Sequence, residues 1–223
     1  MMSATQEIQS REELHIMSSI SIIGSGNMAR AIGARAVKGG NEVEVSSRDA
    51  AKAETLARTL GGGTTAAKFG AGPVGEIVVL AVPYASAVPV VAHYGDALAG
   101  KVIVDITNPF NTEGTGLVTS DGTSIAQEIA KAAPASAHVV KAFNTIFGHV
   151  LAQDGRNMDA LFAGDDAQAK ASMSAFIASL GLRPLDAGGL EMARWLEGAG
   201  LLMVGLARNG VSNFDFTLGV SRA

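Results

Sequence analysis

A glycine-rich turn near the start of the chain has the residue types and the spacing that hold a dinucleotide. Its residues are Gly24, Ser25, Gly26, Asn27, Met28 and Ala29. The turn follows a short β-branched run and opens an amphipathic segment. In that setting the first glycine permits a tight turn, the second lets the backbone approach a pyrophosphate, and the first amides of the helix point at the phosphates. The turn therefore predicts a dinucleotide site, with a strand–helix turn that binds nothing as the alternative.

The end of the second predicted strand indicates which dinucleotide is bound. Ser46, Ser47 and Arg48 stand at this end, and Lys52 follows one helical turn later. Sites that prefer NAD place an acidic residue about 20 positions after the glycine motif, where it accepts from a ribose hydroxyl. A hydroxyl and a guanidinium would instead bind a 2′-phosphate. We therefore predict NADP(H), with Asp49 as a helix N-cap and with a merely solvated Arg48 as the alternative.

Polar residues at the ends of two later strands are candidates for contacts with a cofactor or substrate. Asn144 and Thr145 follow one predicted strand, and Asn108 follows another, where a plain turn is an equal alternative. Ligands of open α/β sheets bind beyond the carboxyl ends of the strands, which favours Asn144 and Thr145 as substrate contacts. Lys141 belongs to the strand itself, so we expect it to face differently from Asn144. Catalysis by Lys141 is the less favoured alternative.

Residue types for acid–base or metal chemistry are not grouped in the sequence. No cluster of His, Asp or Glu suggests a proton relay, and no spacing of histidines suits a metal ion. Hydride transfer between a nicotinamide and a flavin-like ring depends instead on proximity and on exclusion of water, and the cofactor carries the chemistry. We therefore predict no catalytic side chain, no metal site, and structural roles for His93, His138 and His149.

The composition excludes several other classes of function. The 223 residues contain no cysteine, which rules out disulfides and thiolate chemistry. A net charge of -4 without a basic run argues against nucleic acid as a partner, and no apolar stretch is long enough to span a bilayer. We predict a cytoplasmic protein whose partner is a small-molecule redox acceptor. Residues 1–17 are predicted to be a flexible extension. Their polar residues of mixed charge do not resemble a secretory signal.

Short apolar runs alternate with longer amphipathic ones from residue 18 onward, which predicts a Rossmann-type α/β fold with a doubly wound parallel sheet. Predicted strands cover 19–23, 42–45, 77–82, 102–106, 138–143, 160–163 and 182–186, and predicted helices cover 27–38, 49–60, 84–97, 123–132, 165–180 and 190–208. We expect an NADP-binding domain over 18–145. A smaller C-terminal α/β part over 146–223, with a long helix, would complete the cleft for a second substrate. Glycines in that helix indicate close packing against another helix, either within the chain or in a homodimer.

Several segments together resemble the NADPH-dependent F420 reductases and their bacterial relatives. These segments are IIGSGNMA, VSSRDAAKAETLA, VVLAVPY, VIVDITNP, VVKAFNTI, FAGDDAQAK and GLRPLDAGGLEMARWLE. The resemblance implies a Rossmann domain with a small C-terminal part, and a second redox cofactor bound between them. It also implies pyrophosphate contacts at Ser25, Gly26, Asn27 and Met28, 2′-phosphate contacts at Ser47, Arg48 and Lys52, and a nicotinamide side lined by Val82, Pro83 and the backbone of Ala142.

The function that this resemblance implies is hydride transfer between NADPH and a flavin-like or deazaflavin acceptor of the F420 type. At Asn144 the chain differs from family members that act on F420, which tend to have His there, so F420, another deazaflavin, a flavin and a small acceptor all stay open. The opening GSGNMARAI also matches pyrroline-5-carboxylate reductases, although that family needs a long all-helical C-terminal domain and this chain offers one long helix. A non-enzymatic NADPH-binding or sensor protein is the third interpretation.

Overall fold

A computed structural model describes residues 18–221, and one mixed sheet of eight strands forms its centre. The predicted extension over 1–17 lies outside the described residues. The strands are β1 (Ser19–Ile23), β2 (Glu42–Ser47), β3 (Thr65–Lys68), β4 (Ile77–Leu80), β5 (Val102–Asp105), β6 (His138–Ala142), β7 (Asp159–Gly164) and β8 (Arg183–Asp186). The helices are α1 (Asn27–Lys38), α2 (Ala50–Leu60), α3 (Tyr84–Tyr94), α4 (Ile125–Ala132), α5 (Gly148–Leu151), α6 (Ala167–Ser179) and α7 (Ala193–Arg208).

The order of the strands is β3-β2-β1-β4-β5-β6-β7-β8, and all neighbours from β3 to β6 are parallel. This arrangement confirms the predicted Rossmann-type α/β fold. The prediction of a wholly parallel sheet is wrong at one junction, because β7 runs antiparallel to β6. The connection explains the reversal. Helix α5 lies against α1, where Gly148 approaches Met28, and the chain then enters β7 from the edge at which β6 ends.

Two further elements differ from the predicted pattern. The edge strand β3 has no apolar alternation and its residues are mostly exposed, so its conformation depends on pairing with β2 rather than on burial. The helix predicted over 190–208 begins with a 3₁₀ turn at Leu190–Met192 before it continues as α7. Between residues 18 and 221, no helix combines the length and the apolar character that crossing a bilayer requires.

Two hydrophobic cores lie on opposite faces of the sheet. Successive residues of a strand point to opposite faces, so Ile22 and Val79 enter one core while Ile23 and Leu80 enter the other. Helices α1, α2 and α6 cover the first core, and α3 and α4 cover the second. Because both faces are covered, the central strands have continuous apolar runs rather than alternating ones.

Arg35 on α1 connects the first half of the fold to its C-terminal part. Its guanidinium donates to the backbone carbonyl oxygens of Leu151 at 2.6 Å, Gln153 at 2.6 Å and Leu180 at 2.8 Å. Partial burial lowers the pKa of Arg35. The boundary predicted after residue 145 follows β6, and β7 and β8 continue the same sheet beyond it. Strand pairing and Arg35 therefore both hold the C-terminal part against the rest.

Candidate functional site

The glycine turn joins β1 to α1 at the carboxyl edge of the sheet. Gly24 has a positive φ of 129°, and a Cβ atom there would lie 2.1 Å from the carbonyl oxygen of Ala81. Glycine is therefore needed at this position, because the end of β1 passes directly beside the end of β4. Gly26 is the N-cap of α1, and a Cβ atom there would meet no atom of the described residues within 4 Å. The space in front of α1 is thus open.

Ser25 connects the glycine turn to the end of β2. Its hydroxyl donates to the hydroxyl oxygen of Ser47 at 3.2 Å. The hydroxyl of Ser46 points the other way and lies 3.3 Å from the Tyr94 hydroxyl, where both groups are buried. Of the two serines at the end of β2, Ser47 is therefore the one that faces the glycine turn.

A cavity of about 210 Å³, which we call the turn cavity, lies beside this turn. Its lining consists of Ile23, Gly24, Ser25, Gly26, Ser47, Arg48, Phe69, Ala81, Val82, Pro83, Ser86 and Val90. Most of the residues predicted from the sequence are thus brought together around one space. Sequence reasoning missed Ile23, Phe69, Ala81, Ser86 and Val90. The last two are spaced four apart on α3, a pattern that could have indicated them, whereas Phe69 follows the unpredicted strand β3.

A second cavity of about 370 Å³, which we call the α1–α2 cavity, opens on the other side of Ser25. Its lining consists of Ser25, Arg30, Asp49, Ala51, Lys52, Thr55 and Leu56. Lys52, predicted to act beside Arg48, lines this second cavity, while Arg48 lines the turn cavity. Neither lining set includes Asn27 or Met28, which stand beside Gly148 at the start of α5. The predicted phosphate contacts are therefore distributed over two adjoining cavities and the start of α5.

Larger cavities lie elsewhere in the molecule. One of about 440 Å³ surrounds Asn41 and Glu42 at the amino ends of β1 and β2, and one of about 660 Å³ lies beside Arg183 and the C-terminal tail. Ligands of open α/β sheets bind at the carboxyl ends of the strands, where the strand order reverses. That point lies between β1 and β4 in this sheet. The smaller turn cavity is therefore the candidate site.

A fully buried group of charges, the Lys141 cluster, lies between the ends of β5 and β6 and helix α7. The ammonium group of Lys141 donates to Asp105 Oδ2 at 2.7 Å, to the carbonyl oxygen of Thr107 at 2.6 Å and to Glu197 Oε1 at 3.0 Å. All three charged side chains are 0% exposed. The three bonds occupy the Lys141 ammonium group within the protein, which argues against the alternative of catalysis by Lys141. Sequence reasoning missed the cluster, since its members are far apart along the chain.

Burial affects the ionisation of Glu197. Loss of solvation raises the pKa of Glu197, and the nearby ammonium of Lys141 opposes that rise. Glu197 Oε1 also accepts from the backbone N–H of Ile125 at the start of α4, at 3.1 Å. Glu197 Oε2 is buried and has no hydrogen-bond partner within residues 18–221. Burial therefore favours the protonated form of Glu197 more than it would for an exposed carboxyl group.

Asn144 joins the end of β6 to the end of β5 and to α7. Its side-chain amide donates to Asn108 Oδ1 at 2.9 Å and to the carbonyl oxygen of Leu196 at 2.8 Å. Asn108 donates in return to the backbone carbonyl oxygen of Asn144 at 2.9 Å. A Cβ atom at Gly200 would lie 2.9 Å from Asn108 Oδ1, so the glycine lets α7 pass close to this pair. Asn108 therefore connects β5 to the end of β6, which the alternative of a plain turn does not include.

Backbone strain accompanies this arrangement at the end of β6. Ala142, whose backbone is predicted on the nicotinamide side, ends the strand with a buried side chain, and Phe143 follows with a φ of 60°. Asn144 and Thr145 are 6% and 1% exposed, and Asn144 Oδ1 and Thr145 Oγ1 have no hydrogen-bond partner in the part of the chain that the structure describes. Strained backbone and unpaired buried polar atoms are typical of functional sites. A contact of Asn144 and Thr145 with substrate stays a prediction.

Aromatic side chains of the C-terminal tail cover the segment that follows β6. Phe214 and Phe216 lie edge-on to Phe147, with ring-centre distances of 5.3 Å and 5.5 Å. We call these three residues the aromatic wall. Phe147 immediately precedes Gly148, which approaches Met28 at the start of α1. Sequence reasoning missed the wall, because the tail shows no periodic pattern.

The fold is of the Rossmann type, and the glycine turn has the position at which such folds bind a dinucleotide. A family model described as NADP oxidoreductase coenzyme F420-dependent matches residues 19–109. This segment contains every residue that lines the turn cavity. The match confirms the predicted resemblance: over these residues the chain is similar to the F420-dependent NADP oxidoreductases.

Individual relatives extend the similarity beyond the matched segment. The metalloreductase STEAP3 of Rattus norvegicus is 34% identical over 183 residues, which are 80% of this chain but 35% of that protein's length. The F420-dependent NADP reductase of Methanothermobacter marburgensis is 27% identical over 210 residues, or 85% of this chain and 92% of that enzyme. The crystal structure of hypothetical protein SMa0349 from Sinorhizobium meliloti has a TM-score of 0.71 at 26% identity, and the match covers 83% of this chain and 89% of that one.

The raised pKa of Glu197 predicts a specific pH dependence of stability. The folded state retains the Glu197 proton above the ordinary pKa of 4.5, where the unfolded state releases it. The contribution of Glu197 to the free energy of unfolding therefore decreases as pH rises from that value to the folded-state pKa, by up to about 1.4 kcal/mol per pH unit. Glu197→Gln removes this contribution. We therefore expect the free energy of unfolding of this variant, relative to that of the unchanged protein, to increase as pH rises. Urea denaturation from pH 5 to pH 8 measures both values.

Glu191→Gln provides the matched control, because Glu191 precedes α7 and is exposed. Its difference from the unchanged protein should stay nearly constant with pH. A constant difference for Glu197→Gln as well would contradict a raised pKa for Glu197.

Proposed function

We propose that this protein transfers a hydride between NADPH and a flavin-like or deazaflavin acceptor of the F420 type. The observation that carries the proposal is the turn cavity, where the glycine turn, Ser47, Arg48, Val82 and Pro83 surround one open space at the reversal of strand order. The name of the Methanothermobacter relative, F420-dependent NADP reductase, supports this class of acceptor. When bound, the nicotinamide cofactor supplies the hydride chemistry. The proposal includes the cytoplasmic location expected from the sequence.

The residues of the cofactor half suit a phosphorylated dinucleotide. Open space in front of Gly26 leaves room for a pyrophosphate at the N-terminus of α1, where unpaired amides and the helix dipole favour an anion. The pyrophosphate would be contacted by Ser25, Gly26, Asn27 and Met28. The 2′-phosphate would be bound by Ser47, Arg48 and Lys52. The nicotinamide side would be lined by Val82, Pro83 and the backbone of Ala142. Arg48 is exposed and lines the cavity, so its guanidinium is available for bidentate binding of a phosphate.

The acceptor half of the proposal is supported by the side chains near the end of β6. Arg48 alone is ionisable among the described residues that line the turn cavity, and the Lys141 cluster is sealed from it. Reduction of a flavin-like ring takes up a hydride and a proton, and solvent can supply the proton because the reduced ring is stable as an anion. The aromatic wall offers an apolar surface for a flat ring, with Asn144 and Thr145 as predicted substrate contacts.

Oxidation of NADPH in the presence of different acceptors tests the proposed reaction. We expect oxidation with F420, FMN or FAD and none with pyrroline-5-carboxylate, because reduction of an imine needs a proton delivered to its nitrogen. Steady-state loss of NADPH absorbance measures the rate for each acceptor. Oxidation with pyrroline-5-carboxylate alone would support the pyrroline-5-carboxylate reductase interpretation. Binding of NADPH without oxidation by any acceptor would support the sensor interpretation.

Gly26→Val tests the pyrophosphate position. A side chain at Gly26 meets no atom of the described protein, so we expect the variant to fold, but the side chain occupies the space proposed for the pyrophosphate. Binding of both NADPH and NADH, measured by isothermal titration calorimetry, should therefore be lost while the thermal unfolding midpoint changes little. Gly24→Val is the contrasting variant and should lower the midpoint, because its Cβ overlaps the carbonyl oxygen of Ala81. Retained affinity in Gly26→Val would contradict the pyrophosphate position.

Arg48→Ala tests the preference for NADP(H). Loss of a charged hydrogen bond to the 2′-phosphate should weaken NADPH binding by about 1.5–3 kcal/mol and leave NADH binding nearly unchanged. Lys131→Ala is a suitable control, because Lys131 is an exposed basic residue on α4 outside both cavities. Equal losses for NADPH and NADH in the Arg48 variant would instead show that Arg48 has a structural role.

We also propose that the protein forms a homodimer through one face of α7. Trp195, Leu202 and Leu206 are 67%, 59% and 38% exposed, and their spacing places them on the same face of the helix. Cβ atoms at Gly198 and Gly205 would meet no described atom within 4 Å, so a second helix could approach closely there. A two-fold axis would pair this face with the same face of a second copy, which buries the apolar side chains of both.

Light scattering coupled to size-exclusion chromatography tests the homodimer. We expect the mass of two chains for the unchanged protein and the mass of one chain for Leu202→Glu, because a charge cannot be buried without a partner. Val74→Glu replaces another exposed apolar residue, 68% exposed and far from α7 in the sequence, and should leave the dimer intact. The mass of one chain for the unchanged protein would contradict the proposal.

A further inference from the structure

Two basic side chains, Arg30 and Lys52, line the α1–α2 cavity. Arg30 comes from the start of α1 and Lys52 from the first turn of α2. Ser25 lines both this cavity and the turn cavity, and its hydrogen bond to Ser47 lies at their border. A group bound beside Ser47 therefore has Arg48 on one side and the pair of Arg30 and Lys52 on the other.

The charges of this pair are unequally compensated. The Lys52 ammonium lies 3.5 Å from Asp49 Oδ2, and Asp49 Oδ1 caps α2 by accepting from the Lys52 backbone N–H at 3.2 Å. Arg30 is exposed, and no carboxylate between residues 18 and 221 forms an ion pair with it. The lining thus holds two cations and one carboxylate. Since Asp49 offsets Lys52, Arg30 supplies the positive charge that is available to a ligand.

The chemistry of a phosphate monoester matches this arrangement. Such a group carries about 1.5 to 2 negative charges near neutral pH, so it binds most strongly where several cations converge. A guanidinium adds two parallel N–H donors that fit two phosphate oxygens. The 2′-phosphate is the monoester of NADP, whereas each phosphorus of its pyrophosphate has one ester bond, one anhydride bond and a single negative charge. The α1–α2 cavity therefore suits the 2′-phosphate better than the pyrophosphate.

We propose that Arg30 is a specificity-determining residue that binds the 2′-phosphate of NADP from the α1–α2 cavity, together with Lys52 and opposite Arg48. The proposal rests on the proposed function only in taking NADP as the ligand, and it is independent of the acceptor. Arg30 adds to the predicted set of Ser47, Arg48 and Lys52, and it attaches the 2′-phosphate to α1 as well as to the end of β2. Discrimination against NAD is then shared between two elements.

Binding of 2′,5′-ADP and 5′-AMP tests this role, because the two probes differ only in the 2′-phosphate. Isothermal titration calorimetry should show that Arg30→Ala weakens binding of 2′,5′-ADP by about tenfold or more and leaves binding of 5′-AMP unchanged. Arg30→Lys keeps the charge but loses the paired donors, so its affinity for 2′,5′-ADP should lie between that of the unchanged protein and that of Arg30→Ala. Lys52→Ala should lose less affinity for 2′,5′-ADP than Arg30→Ala does, because Asp49 already offsets the charge of Lys52. Lys131→Ala is the control for a general change in charge, and unfolding midpoints verify that each variant folds.

Other outcomes would contradict the role of Arg30, the NADP site or the proposed reaction. Equal losses for 2′,5′-ADP and 5′-AMP in Arg30→Ala would place Arg30 at the 5′-phosphate side, and no loss for either probe would make it a solvated surface residue. Failure of the unchanged protein to prefer 2′,5′-ADP would contradict both this role and the proposed NADP site. Tight binding of 2′,5′-ADP that depends on Arg30, without oxidation of NADPH by any acceptor, would overturn the proposed reaction and leave the role of Arg30 intact.

Discussion

At the carboxyl ends of β1 and β4, two backbone segments lie so close together that a side chain on Gly24 would overlap the carbonyl oxygen of Ala81. This contact lies where the strand order reverses. The chain leaves β1 toward one core as α1 and leaves β4 toward the other core as α3. The two segments diverge from the contact and create an opening between them, which is the turn cavity. The geometry of the proposed cofactor half therefore follows from one steric constraint.

The Lys141 cluster has the corresponding role at the ends of β5 and β6. Burial of three charged side chains costs solvation free energy, which only their bonds to one another and to the backbone can offset. Lys141 belongs to β6, Asp105 to β5 and Glu197 to α7, so these bonds set the position of α7 against the sheet. A shift of α7 would separate Glu197 from Lys141 and from the backbone N–H of Ile125. The close passage of Gly200 beside Asn108 depends on that position.

Local sequence signals explain how much could be predicted. The glycine turn, Ser47 with Arg48, and the N-cap Asp49 each act within a few residues of their own positions, so their spacing alone indicates their roles. The buried strands were predictable for the same reason, since continuous apolar runs follow from coverage on both faces. The antiparallel direction of β7 depends on the docking of α5 against α1. The Lys141 cluster and the aromatic wall likewise form only between segments distant in sequence, and no local pattern encodes such contacts.

The two halves of the proposed site differ in the exposure of their charged side chains, and this difference restricts which acceptors suit the site. The cofactor half keeps its cations exposed at the cavities, whereas the acceptor half buries Lys141 and Glu197 completely. Neither buried group can deliver a proton to an acceptor, which favours a ring that delocalises the electron pair it receives. The side chain of Asn144 is likewise bonded within the protein. Its amide donates to Asn108 and to the backbone carbonyl oxygen of Leu196, so this side chain holds α7 in place.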